Sequence, residues 1–127
     1  MELQKVNING IDNTYMLDVV EKEFRKAVNE TWKDTPPWQR YQKKLIGNLA
    51  VLDMDKEQAI DLPQFEKLSG ETDLYCIRQP EARKNIRVIY TIEEGDIILL
   101  VAFLENNDGD YRRAIKVAKD RLKWLYS

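Results

Sequence analysis

The sequence predicts an α+β fold in the order (β)ααβββα, and three observations predict it. The first half carries two apolar stripes at three- and four-residue steps. The second half turns to β-branched and aromatic runs, two of them separated by a compact turn. The last stretch returns to helical spacing, with a basic polar side. A helical hairpin, an antiparallel β-meander and a C-terminal helix make one domain over residues 1–127.

Taken in order, residues 3–11 alternate loosely through Leu3, Val6 and Ile8 and read as a short first strand. From about Thr14 to Trp32, Leu17, Val20, Phe24, Val28 and Trp32 form the stripe of an amphipathic helix. Asp34-Thr35-Pro36-Pro37 breaks it, with Thr35 as an N-cap and a proline suited to the first helical position. Trp38, Tyr41, Leu45, Leu49 and Leu52 continue as a second helix to about Met54. Residues 55–67 read as irregular, since Pro63 does not suit a regular element.

Three strands follow: Leu74 to Arg78, Ile86 to Ile92 and Ile97 to Phe103. Glu93-Glu94-Gly95-Asp96 joins the last two as a hairpin turn. Both faces of the last strand are apolar, which makes it central and covered on two sides. Asp108 or Asp110 is positioned to cap the final helix, about Tyr111 to Leu125, which buries Ala114, Ile115, Ala118, Leu122 and Leu125. The aromatic residues Trp32, Trp38, Tyr41 and Trp124 fall on apolar stripes and read as core.

Composition narrows the chemistry. The chain has 127 residues, 43% hydrophobic and 33% charged, with a formal net charge of −2. That suits a folded globular domain and gives no global pull on nucleic acid, so any such contact needs a local basic patch. The absence of histidine excludes histidine triads, histidine-ligated metals and histidine bases. Cys76 is the one cysteine, so an intrachain disulfide and a thiolate zinc cluster are excluded. The five glycines are isolated, without a phosphate-cradling run. A calcium loop at residues 106–110 fails because Leu104 stands at its first ligand position and no glutamate closes it. Neither a metal nor a cofactor is expected. With no secretory pattern at residues 1–7 and no apolar run of membrane-spanning length, a cytoplasmic protein is expected.

Four segments carry a family resemblance. They are Leu68-Ser69-Gly70-Glu71-Thr72-Asp73-Leu74-Tyr75-Cys76-Ile77-Arg78, then Asn85-Ile86-Arg87-Val88-Ile89-Tyr90, then Ile98-Leu99-Leu100-Val101-Ala102-Phe103, and finally Asp110-Tyr111-Arg112-Arg113-Ala114-Ile115 with Ala118 and Arg121. In this order they resemble the "L-x-G…L-Y-x-I-R", "R-V-x-Y", "L-L-x-x-F" and "Y-x-x-A" pattern of RelE/HigB toxins of type II toxin–antitoxin systems. The first half is similar only in its number of helices. The resemblance implies a ribosome-dependent mRNA endonuclease, an mRNA interferase, held silent by a cognate antitoxin. It needs no metal, because the RNA's own 2′-hydroxyl attacks the adjacent phosphorus while the protein positions RNA and stabilises charge. A ParE-like toxin that poisons gyrase without catalysis, or a degenerate non-toxic protein-binding member, shares the same fold.

The resemblance assigns roles residue by residue. Arg87, at the "R-V-x-Y" arginine, is the expected phosphate clamp; strand alternation places it exposed, on the face opposite Ile86 and Val88. Its alternative is a stem covering the sheet with its head in water. Arg78 either joins the clamp or solvates a strand end. Cys76 stands where some relatives are basic, and its plain reading is a small buried residue. Tyr111 stacks on a base, transfers a proton or packs. Glu105 departs from relatives that are basic there, and reads either as a general base or as a solvated loop acid. Arg83 and Lys84, with Arg112, Arg113 and Lys116 on the last helix, are the expected RNA- or ribosome-facing surface, against a default of solvated charge.

Overall fold

The computed structural model describes residues 1–31, 38–80 and 85–127. Its elements are β1 (Leu3–Lys5), β2 (Thr14–Leu17), α1 (Val19–Thr31), α2 (Trp38–Asp55), a 3-10 helix (Lys56–Asp61), β3 (Phe65–Lys67), β4 (Tyr75–Pro80), β5 (Asn85–Glu93), β6 (Asp96–Glu105) and α3 (Asp108–Tyr126). The fold is α+β, with three α-helices among the described residues and one open six-stranded sheet in the order β1-β2-β6-β5-β4-β3. Among the described residues, only the β2–β6 pairing is parallel. None of the helices among the described residues is long and apolar enough to cross a membrane.

The meander β4-β5-β6 lies where the β-rich runs predict it, and β6 is internal, between β2 and β5. The β5–β6 hairpin closes through two residues with positive φ, Glu94 at 49° and Gly95 at 85°. This backbone matches the right-handed twist of paired strands, and glycine adopts it without a Cβ clash. Leu100 is skipped in the β5–β6 register: Ile89 faces Val101 and Tyr90 faces Leu99. The bulge reverses the facing of β6 side chains beyond it.

The sequence expectation errs in four places. Thr14–Leu17 is not the first turn of a helix but a strand, parallel to Ile97–Leu99. Its cause is long-range. The buried Asp53 carboxylate on α2 accepts hydrogen bonds from the Asp12 and Asn13 amides at 3.0 and 2.8 Å and from the Thr14 hydroxyl at 2.7 Å. That staple holds the chain extended as it enters β6's edge. Residues 55–67 are also not wholly irregular, since they hold the 3-10 helix and the edge strand β3. Helix α3 begins at Asp108, capped by neither Asp108 nor Asp110 but by Asn107, whose side chain accepts the Asp110 amide. Asp110 returns the bond as the third residue of a capping box. Trp124 is 41% exposed and is no core residue. Trp32 and the Thr35 cap lie outside the described residues.

The sheet is covered on both faces. Val88, Met16 and Leu99 line a cavity of about 440 Å³ with Val20 and Phe24 of α1 and Leu45 and Leu49 of α2. On the other face, α3 buries Ala114 and Ala118 and sets Tyr111 edge-on against Phe103, ring centroids 5.7 Å apart. Past the end of β2, the free edge of β6 is closed by side chains. Glu23 of α1 accepts the Ala102 amide at 3.3 Å, and Arg121 of α3 donates to the Leu100 carbonyl at 2.7 Å. Arg121 and Glu23 also pair with each other through two contacts of 2.8 Å. Strand edges left bare invite pairing with other chains, and this pair covers one.

Candidate functional site

Register brings the predicted residues together. Arg78 of β4, Arg87 of β5 and Phe103 of β6 lie abreast in adjacent strands, on the face that carries α3. Two residues along, in the next row of the same face, Glu66 of β3 pairs with Cys76. Because β3 is the edge strand, the Glu66 carboxylate reaches inward over the two arginines. Arg78 forms a close ion pair with its Oε2, and Arg87 Nη1 lies 3.4 Å from its Oε1. From above, the Tyr111 hydroxyl donates to the same Oε1 at 2.9 Å. The Arg87 guanidinium in turn lies 5.2 Å from the Tyr111 ring centroid, within cation–π range.

Arg87 is not the exposed residue that alternation predicts. It is 8% exposed, because α3 covers this face of the sheet as well. Glu105 is no solvated loop acid; it ends β6 and forms a close ion pair with Nε of Arg87. Two guanidiniums thus meet two carboxylates, and their formal charges cancel. Arg78, whose side chain is 44% exposed, is the open member of the four.

The electrostatics follow from this packing. Burial disfavours a charged Glu66, but hydrogen bonds from Arg78 and Tyr111 and the charges of Arg78 and Arg87 outweigh it. Its carboxyl is held below the ordinary glutamate value. The bond to Glu66 raises the Arg78 pKa. Burial, then the negative groups around it, pushes the Tyr111 hydroxyl well above its ordinary value. Cys76 has the plain role foreseen for it: it is buried, and desolvation pushes its thiol up to about 11, against the pull of Arg87. A thiol so placed is unreactive at neutral pH.

Of the remaining expected residues, Arg112, Arg113 and Lys116 are exposed on α3, with Arg113 paired to Asp110 one turn back. Arg83 and Lys84 lie outside the described residues. Glu66 is the residue that sequence reasoning passes over. It sits in a three-residue strand just after Pro63, too short for alternation to register. The one local signal is that Phe65 is apolar between two polar neighbours.

Fold and site define an α+β protein that gathers arginines, carboxylates and a tyrosine under its last helix. The chain belongs to the family described as phage derived protein Gp49-like (DUF891), whose model matches residues 30–123, well over half of the chain. No curated protein and no solved structure gave a match.

Proposed function

We propose that the chain is the toxin of a type II toxin–antitoxin pair and cleaves mRNA on the ribosome, with a cognate antitoxin as its partner and the cytoplasm as its compartment. The observation that carries this reading is the convergence of Arg78, Arg87 and Tyr111, from two strands and a helix, on the single carboxylate of Glu66. Two helices, an antiparallel meander and a closing helix are in keeping with the RelE-like plan, and membership of a phage-derived family is in keeping with a mobile toxin module.

In this reading the set carries out metal-independent RNA cleavage. Glu66, kept ionised, takes the proton of a 2′-hydroxyl, and the freed oxygen attacks the adjacent phosphorus. Arg78 and Arg87 neutralise the charge that grows on the non-bridging oxygens. The 5′-oxygen leaves and takes a proton from the Tyr111 hydroxyl, which recovers one from Glu66 along the bond they share. The products are a 2′,3′-cyclic phosphate and a 5′-hydroxyl. In this scheme Glu66 holds the base role that sequence offered to Glu105, and Glu105 orients Arg87. The basic residues on α3, together with Arg83 and Lys84, serve the ribosome contact.

A second reading, a ParE-like gyrase poison or a non-toxic binding module, is favoured by one observation: the cluster's charges cancel, leaving Arg78 as the accessible cation. Induced expression in a bacterium, with 5′ ends of a reporter mRNA mapped with and without its start codon, separates these. New ends confined to the translated message support the interferase. Growth arrest with intact message selects the gyrase reading, and normal growth the non-toxic one.

A further inference from the structure

The cavity of about 440 Å³ lies on the face of the sheet turned away from the cluster, walled by the N-terminal strands and by α1 and α2. Val88 at its base follows Arg87 in β5, and alternation turns the two to opposite faces. The base is apolar and deep: Val6, Val20, Phe24, Leu49, Val88 and Leu99 line it, and all are buried. The rim is polar, with the exposed residues Lys5, Asn7, Glu21 and Gln42 around an exposed Ile46. Packed interiors leave few spaces larger than a water molecule, so a recess running from solvent to the inner strands β5 and β6 is a built feature. Its volume lies inside the ~300–1,000 Å³ range of small-molecule sites.

The two zones define what can occupy it. The ionisable residues of the lining, Lys5 and Glu21, both belong to the rim, so a charge carried to the base would be desolvated without a partner. At the rim the formal charges of Lys5 and Glu21 cancel, and Glu21 also lies 3.7 Å from Arg25. An ionised head of either sign therefore gains little there. The amides of Asn7 and Gln42 each donate and accept, which suits a neutral hydroxyl or amide head.

We propose that this cavity binds a neutral amphiphile, its hydrocarbon chain against Phe24, Val88 and Leu99 and its hydroxyl or amide head at the rim beside Asn7 and Gln42. With ~30 Å³ for each water-sized group and loose filling, the space takes a chain of about ten carbons. The inference is independent of the RNA-cleaving reading and holds whether or not the chain cuts message.

The test is nuclear magnetic resonance titration of the full chain with straight-chain alcohols from hexanol to dodecanol, following the methyl signals of Val88 and Leu99. Both residues are expected to shift, and affinity to rise about fourfold for each added methylene, the gain from burying one such group. The rise should stop near decanol, where the cavity is full. Octanoate should bind at least about tenfold more weakly than octanol, because its charge gains no partner. Ile46→Trp, a change at an exposed rim position, should block the mouth and abolish binding while the thermal melt stays in place. Unmoved Val88 and Leu99 methyls, an affinity that climbs steadily through dodecanol as on an open apolar surface, or octanoate binding as tight as octanol would each overturn the proposal. So would a dimer in sedimentation that Ile46→Trp breaks and decanol leaves intact, which would give the cavity to a second copy of the chain. The wild-type series decides the matter even if the variant misfolds.

Discussion

The Tyr111 hydroxyl lies 2.9 Å from Oε1 of Glu66, tying the first turns of the last helix to an edge strand 45 residues earlier. This bond closes the roof of the cluster onto its base and gives Glu66 a proton donor as well as two guanidinium neighbours. Changing Glu66 to Gln keeps the shape and removes the base. Cleavage of translated mRNA is expected to fall by about two orders of magnitude or more, the usual contribution of a positioned acid–base group. Cleavage by the Gln variant at the wild-type rate would remove Glu66 from the mechanism.

The same residue sets an acid limit. Its folded pKa is depressed below 4.5, the ordinary glutamate value. A depressed carboxylate contributes stability that is present above its unfolded pKa and is lost as pH falls through the folded one. Both the activity and this contribution should therefore persist at pH 5 and fail only below 4.5. A rate profile whose acid limb lies near neutrality would show that another group is the base.

Arg87→Ala tests the buried ion pairs. The substitution strands Glu66 and Glu105, whose side chains are 28% and 21% exposed, beside one remaining arginine. A loss of about 2–4 kcal/mol is expected, near the lower part of the range for breaking a buried pair because both carboxylates keep some solvent. Cleavage should vanish as well. Adding Glu105→Gln to Arg87→Met should restore part of the stability and none of the activity, and a denaturant double-mutant cycle measures that coupling. Additive losses across the cycle would deny the pairing.

These residues show where sequence reasoning reaches and where it stops. Strand alternation sets Arg87 opposite Ile86 and Val88, because the pleat is a local property of β5, but only the β4–β5 register puts Arg78 beside it. It does not tell that this face is covered, since the cover is Tyr111 on a helix far along the chain. Glu66 escapes because its importance lies wholly in three partners from other elements. Thr14 to Leu17 misleads for a similar reason: Leu17 continues the helical step into Val20 and Phe24, while the carboxylate that straightens the chain belongs to Asp53. Asn107 is hidden behind its acidic neighbours, although its spacing from Asp110 is that of a capping box.

Asp53→Asn should expose the staple under β2. Burial opposes the Asp53 charge, but the Asp12, Thr14 and Asn13 hydrogen bonds and the nearby Lys56 outweigh it and lower its pKa below 3.8. The stability it contributes is thus present above 3.8 and lost as pH falls through the lower folded value. Asparagine keeps one acceptor oxygen where the carboxylate offered two, so a loss of about 1–3 kcal/mol is expected at neutral pH, as for a buried donor left unsatisfied. The difference between wild type and variant should shrink towards pH 2. A constant difference across that range would assign the effect to packing rather than charge.

The basic side of α3 makes a separate, salt-dependent prediction. Arg112 and Lys116 are exposed one turn apart, while Arg113 between them is paired to Asp110. Reversing both to Glu leaves the helix core of Ala114 and Ala118 untouched, so the melt should move by no more than about 0.5 kcal/mol, as surface changes usually do. If these side chains meet ribosomal RNA phosphates, sedimentation with ribosomes should weaken, and the slope of log affinity against log salt should flatten by roughly one for each phosphate no longer neutralised. Arg113→Glu alone should act less, because in the free protein its charge is already matched by Asp110. Unchanged ribosome binding with a preserved slope would leave α3 as a solvated face and throw the docking onto another surface.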